Sequence, residues 1–132
     1  VSMLAADPRE FLVAESVTTT VVTTSNTLLD LTITGEAPTN ISWEITATGN
    51  LVRPTITDEF GNEISWAGTL SPGSVLIYGR DGSVSLDGVR FPDTYLGDVP
   101  PVFPGSAKFT YTDDISSSHS CTIVARWNDA FY

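Results

Sequence analysis

Between Val52 and Gly88 the chain reads VRPTITDEFGNEISWAGTLSPGSVLIYGRDGSVSLDG, where strand-like runs of a few residues alternate with FGNE, SPGS, GRDGS and LDG. Each interruption carries turn chemistry. Pro72 presets φ, Gly73 supplies positive φ, and Asp81-Gly82 is the dipeptide of a type I′ hairpin. Punctuation this frequent leaves no room for a helical period of useful length, and it predicts a β-meander closed by tight turns.

The alternation on either side agrees. In ISWEITAT, Ile41, Trp43, Ile45 and Ala47 oppose Ser42, Glu44, Thr46 and Thr48, giving one dry face and one wet face. Leu29, Leu31 and Ile33 share a face in TLLDLTIT, as do Ile64, Trp66 and Leu70 in NEISWAGTL. Val17 and Val21 share a face in SVTTTVV, whose threonines leave the buried side undecided. SVLIYG is apolar on both faces, as a central strand should be, and Val84 and Leu86 point inward in SVSLDG. The last strands are KFTYT, with Phe109 and Tyr111 inward, and CTIVARW, with Cys121, Ile123, Ala125 and Trp127 inward. Eight to ten short strands in 132 residues predict an all-β fold, a two-sheet antiparallel β-sandwich of jelly-roll type. Residues 1–15, with Pro8 and mixed charges, read as a linker or docking arm, and residues 16–132 as a single sandwich domain. Val89 to Gly105, with Pro92, Pro100, Pro101 and Pro104, reads as a long loop, either functional or packed across one end.

Composition narrows the function classes. Sixteen acids against six bases give a net charge of -10, which disfavours nucleic acid and anionic membranes, since both need a basic face. No run approaches the ~18 apolar residues of a membrane span, and VSMLAADPREF is too polar for a secretory signal. Because the chain opens on Val, it is expected to be a fragment or a processed form. Cys121 has no second cysteine to pair with and reads as a small buried hydrophobe.

No catalytic constellation stands out. A serine nucleophile with His119 as base would need a buried acid and an oxyanion pocket, and SSSHS reads instead as a solvated turn. Asp81, Asp87, Asp93, Asp98, Asp113 and Asp114 could offer oxygens to calcium, yet they match no defined loop spacing, and Asp favours turns in its own right. No catalytic residue, metal or cofactor is therefore assigned, and the chain is expected not to be an enzyme. Trp43, Trp66 and Trp127 lie in phase with inward aliphatics and read as core. Phe91, Tyr95 and Phe103 lie off any alternating strand and are the candidate ligand- or partner-binding residues.

Three segments in order, LAADPREF, RPTITDEFGNEISWAGTLSPGSVLIYGRDGSVSLDG and ARWNDAFY, carry a resemblance to the C-terminal part of siphophage distal tail (minor tail) proteins. Asp7-Pro8-Arg9 stands where that family leaves its ring domain. Leu70-Ser71-Pro72-Gly73, Asp87-Gly88 and Pro104-Gly105 occupy its turns, and Trp127-Asn128-Asp129-Ala130-Phe131 its ending, which there reads Trp-Arg-Asp-Ala-Tyr. The resemblance implies a galectin-like sandwich at the tail tip of a virion, a structural component that docks other tail or baseplate proteins. It also implies a monomer when isolated and a ring-forming oligomer when joined to the ring domain. The alternative is a carbohydrate-binding module that contacts host cell-wall polysaccharide in host attachment; fold likeness alone does not license sugar binding.

Overall fold

Runs of Thr, Val, Ile and aromatic residues with a period of two form strands because their branched or flat side chains pack on a pleated, half-buried surface. The computed structural model describes residues 10–11, 15–95 and 101–131, with backbone alone for 10–11, 91–95 and 130–131. In chain order the strands are β1 (Glu10–Phe11), β2 (Ser16–Val22), β3 (Thr27–Ile33), β4 (Ser42–Ala47), β5 (Leu51–Val52), β6 (Thr55–Asp58) and β7 (Glu63–Ser65). They continue with β8 (Thr69–Leu70), β9 (Val75–Tyr78), β10 (Ser83–Leu86), β11 (Val89–Tyr95), β12 (Gly105–Thr112), β13 (Cys121–Trp127) and β14 (Ala130–Phe131).

A six-stranded sheet in the order β11-β10-β9-β4-β13-β2 packs on a four-stranded sheet β3-β12-β6-β7, and all pairings are antiparallel. This is an all-β two-sheet sandwich, as the alternation predicts. Two ribbons supplement it, β5 with β8 and β1 with β14. The second ties Glu10 and Phe11, in the segment read as an arm, to Phe131 and Ala130. The rest of that arm, including Asp7-Pro8-Arg9, lies outside the described residues.

The core is built from the inward residues of both sheets. Trp43, Ile45, Tyr78 and Ile123 come from one sheet, and Leu29, Ile33, Ile56 and Tyr111 from the other, each at most 2% exposed. Each such side chain contributes roughly 1.5–3 kcal/mol on burial. Trp43 and Phe109 bridge the sheets edge to face, ring centroids 4.8 Å apart at 67°. Among the described residues, no buried side-chain polar atom lacks a hydrogen-bond partner.

Three expectations need correction. Asp81-Gly82 is not a type I′ turn. Only Gly82 has positive φ, and its N–H donates to Gly79 O at 3.1 Å, so a turn over Arg80-Asp81 is followed by a left-handed glycine. The type I′ geometry sits instead at Asp87-Gly88, with φ of 50° and 85° and Leu86 paired with Val89. Such a turn delivers a returning strand, and that strand is β11. Val89 to Tyr95 is therefore strand and not loop. Its Pro92 is tolerated because β11 is the sheet edge and its register slips: Ser85 pairs with Arg90, but Ser83 with Tyr95. Residues 96–100, with Asp98 and Pro100, lie outside the described residues.

NEISWAGTL is two strands, β7 and β8, because the chain bends at Trp66–Gly68. The indole of Trp66 lies so close over Gly68 that a Cβ there would sit 2.3 Å from the ring. Trp66 is half-buried against the core rather than within it. In β2, whose buried side the sequence leaves open, the apolar pair faces out. Val17 and Val21 are 49% and 71% exposed while Val22 is buried, so the inward face is Ser16, Thr18, Thr20 and Val22. β2 thus forms one border of the six-stranded sheet with seven uncharged residues.

Candidate functional site

β12 and β6 are unequal partners, and the inequality opens a cleft between them and the segment that precedes β12. β12 pairs with β3 from Gly105↔Ile33 to Tyr111↔Thr27, but with β6 only from Phe109↔Asp58 to Thr112↔Thr55. β6 stops because Asp58 turns the chain out of the sheet. Its Oδ1 accepts the N–H of Phe60 at 2.9 Å and of Asn62 at 2.8 Å, and its Oδ2 accepts Asn62 Nδ2 at 2.8 Å. Gly61 supplies the positive φ of 91°. On its β6 side, residues 105–108 are consequently left without a strand partner among the described residues.

The opposite wall is the segment 101–104, held by a two-bond bridge. Thr39 N donates to Val102 O at 2.9 Å, and Val102 N to Thr39 O at 2.7 Å. Between the walls lies a cleft of about 500 Å³. Through the gap its lining reaches Ile41 and Trp43 of the facing sheet, with Ile56, Ile64 and Phe109 beside them. Two aromatic rings stand at its rim in solvent, Phe60 at 81% and Phe103 at 65% exposure. Polar groups gather there too: Asp58, Glu59, Asn62, Glu63 and Lys108. Glu59, Glu63 and Lys108 make no ion pair with the described residues, whereas Asp58 is occupied by its own turn.

Of the three candidate aromatics, Phe103 lies on this cleft. Phe91 and Tyr95 have their backbone on β11, at the far end of the other sheet from β2. Three strand spacings, roughly 14 Å, separate β11 from the β4 strand that carries Trp43. The expectation that all three lie off any strand is thus corrected: β11 holds Phe91 and Tyr95. Phe60, read as turn punctuation in FGNE, is the rim residue that the sequence argument passed over. Its signal was a large aromatic directly before a turn glycine.

A second polar group closes the other end of β12, seven residues on from Ser106, roughly 24 Å along the strand. The side chain of Asp113 is fully enclosed. Its Oδ2 accepts Tyr111 Oη at 2.8 Å and Ser117 Oγ at 3.0 Å, and its Oδ1 pairs with His119 Nδ1. His119 is therefore a half-buried, carboxylate-held residue at φ 62° and not a solvated turn histidine. Ser117 Oγ bonds the carboxylate and Asn50 O, so it is placed to lock the 113–119 turn. Burial beside this group pushes the Cys121 thiol up to about 12 and raises Tyr111. Among the described residues, no group of three or more His, Cys, Asp or Glu could hold a metal ion.

A third buried polar contact secures the ending of the chain. Asp129, 5% exposed, accepts Trp127 Nε1 at 3.1 Å and Thr34 N at 3.2 Å through Oδ1, and Thr34 Oγ1 through Oδ2. No family model, curated protein or solved structure matches the chain.

Proposed function

We propose that this sandwich is a non-enzymatic docking domain, the peripheral module of a siphophage tail-tip hub that receives other tail or baseplate proteins. The observation that carries the docking half is the cleft. Monomeric surfaces seldom keep two aromatic rings in water above an apolar floor unless something covers them. The tail setting rests on the resemblance of the three ordered segments to distal tail proteins. Ring contacts belong in that family to a separate domain, so this chain alone is a monomer.

A second reading, contact with host cell-wall polysaccharide, is favoured by one observation. The rim sets Phe60 and Phe103 beside the Glu59 and Glu63 carboxylates and the Asn62 amide, groups that suit a sugar face and its hydroxyls.

Immunogold labelling of virions from the same source, with an antibody to this chain, tests the tail-tip reading. Label at the tail tip supports it, and label confined to the capsid or absent from virions overturns it. In parallel, the chain and its Phe60→Ser/Phe103→Ser variant are titrated with purified wall polysaccharide. Saturable binding that the variant loses would replace docking with adhesion.

A further inference from the structure

The cleft lies where β6 would continue beside β12, and its position and charge name its occupant. β6 runs alongside β12 for four pairs and then leaves, so the line it would have followed past residues 105–108 is open. Successive residues of a strand send their N–H and C=O groups to opposite edges. Two of these four residues therefore direct a donor and an acceptor toward the gap, while the other two are taken up by β3. Below the gap lie Trp43 and Phe109, where every second side chain of an added strand would point. Above it Glu59 and Glu63 stand without ion-pair partners among the described residues, against the single cation Lys108.

We infer that residues 105–108 of β12 accept a short extended segment of a partner protein as an added strand in line with β6, its apolar side chains lying over Trp43 and Phe109 and its cationic side chains beside Glu59 and Glu63. The inference deepens the docking function proposed above and rests on it. Backbone pairing supplies affinity independent of sequence, and the apolar floor and acidic rim supply selectivity. Charge complementarity decides the partner's sign. A segment flanked by Lys or Arg gains at the rim, and one flanked by Glu is repelled by it and by a chain of net charge -10. A sugar would use the rim without needing the β12 edge.

The test uses three synthetic probes: Ac-Lys-Thr-Leu-Thr-Val-Thr-Lys-NH2, the same peptide with Glu for both Lys, and the Lys peptide N-methylated at alternate amides. Each is titrated into the isotope-labelled chain while the amide signals of residues 105–108 are followed. The Lys peptide should bind saturably and move those amides, roughly tenfold tighter than the Glu peptide, and N-methylation should abolish binding. In the Glu59→Lys/Glu63→Lys variant, whose changes are on exposed side chains, the preference between the two charged peptides should invert. No saturable binding by the Lys peptide, undiminished binding after N-methylation, or shifts lying elsewhere would each overturn the strand inference. Wall oligosaccharide is run as a fourth titrant. If it alone binds saturably, the docking function itself falls. If all four titrants fail while virions are labelled at the tail tip, only the added strand is lost.

Discussion

Trp43 and Phe109 meet edge to face across the two sheets, their centroids 4.8 Å apart, and the same two rings form the floor of the cleft. Stability and binding are thus joined at one contact. Phe109→Ala should cost about 3–5 kcal/mol, the usual loss for a large buried aromatic. Phe109→Leu should keep most of the stability but alter the floor. Chemical denaturation of both variants checks this, and an Ala variant within about 0.5 kcal/mol of the parent would show that the contact contributes little.

Trp66 behaves differently from the other two tryptophans. Its ring is half-buried over Gly68, so Trp66→Ala should cost about 1–2 kcal/mol, clearly less than Trp43→Ala. Gly68→Ala forces the indole aside and should cost about 1–3 kcal/mol through overpacking. Tryptophan emission reads the displacement directly as a red shift. A Gly68→Ala protein with unchanged emission and melting temperature contradicts the close approach.

Asp129 gathers three donors from Trp127 and Thr34. Asp129→Ala leaves the indole N–H and a backbone N–H without their acceptor and should destabilise by about 2–4 kcal/mol. Asp129→Asn retains an oxygen for those two and should cost less than half as much. Equal losses from both substitutions would mean the negative charge, not the acceptor geometry, matters. This contact gives the Trp127-Asn128-Asp129 ending a physical purpose, with the turn carboxylate satisfying the preceding indole.

Alkaline pH should unfold the domain through groups that keep their protons when buried. Burial pushes Cys121 up to about 12 from 9.0, and burial followed by the Asp113 hydrogen bond raises Tyr111. Tyr78, whose hydroxyl donates to Pro54 O at 2.7 Å, is raised by burial as well. Above pH 9 the unfolded chain releases these protons first, so it binds fewer than the native state and stability falls as pH rises. The contribution is whole below pH 9 and is lost progressively through about 12. A melting-temperature profile from pH 7 to 11.5 should bend downward above 9 and bend less in Tyr111→Phe. A profile flat to pH 11 rules the mechanism out.

The sheets were legible because their signal is local. Ile41, Trp43, Ile45 and Ala47 alternate with polar residues, and the structure buries those four. The same holds for Cys121 to Trp127. β11 was hidden because Pro92, Pro100, Pro101 and Pro104 read as loop, although the Asp87-Gly88 turn before it already called for a returning strand. Val17 and Val21 left the buried face of β2 open, since a Thr-rich border strand can bury its hydroxyl-bearing face and show its valines. The cleft was out of reach altogether. It exists because β6 stops opposite Phe109 and leaves the four residues 105–108 of β12 unpaired on that side among the described residues, a long-range mismatch no window of sequence contains. The Asp113–His119 pair was missed for a similar reason, the acid being enclosed by Tyr111 and Ser117 only after the turn closes.

The border strand β2 has a further meaning for how copies of the protein treat one another. Its seven residues hold no lysine, glutamate or proline, the usual local guards against edge-to-edge pairing. Pairing of two such borders would be opposed by long-range repulsion between molecules of charge -10. That protection is ionic in nature and therefore conditional. Its reach shrinks from about 10 Å in 0.1 M salt to about 3 Å in 1 M, and it fades as the carboxylates take up protons. Self-association of this domain should therefore answer to the salt and pH of the solution around it more than to the strand it exposes.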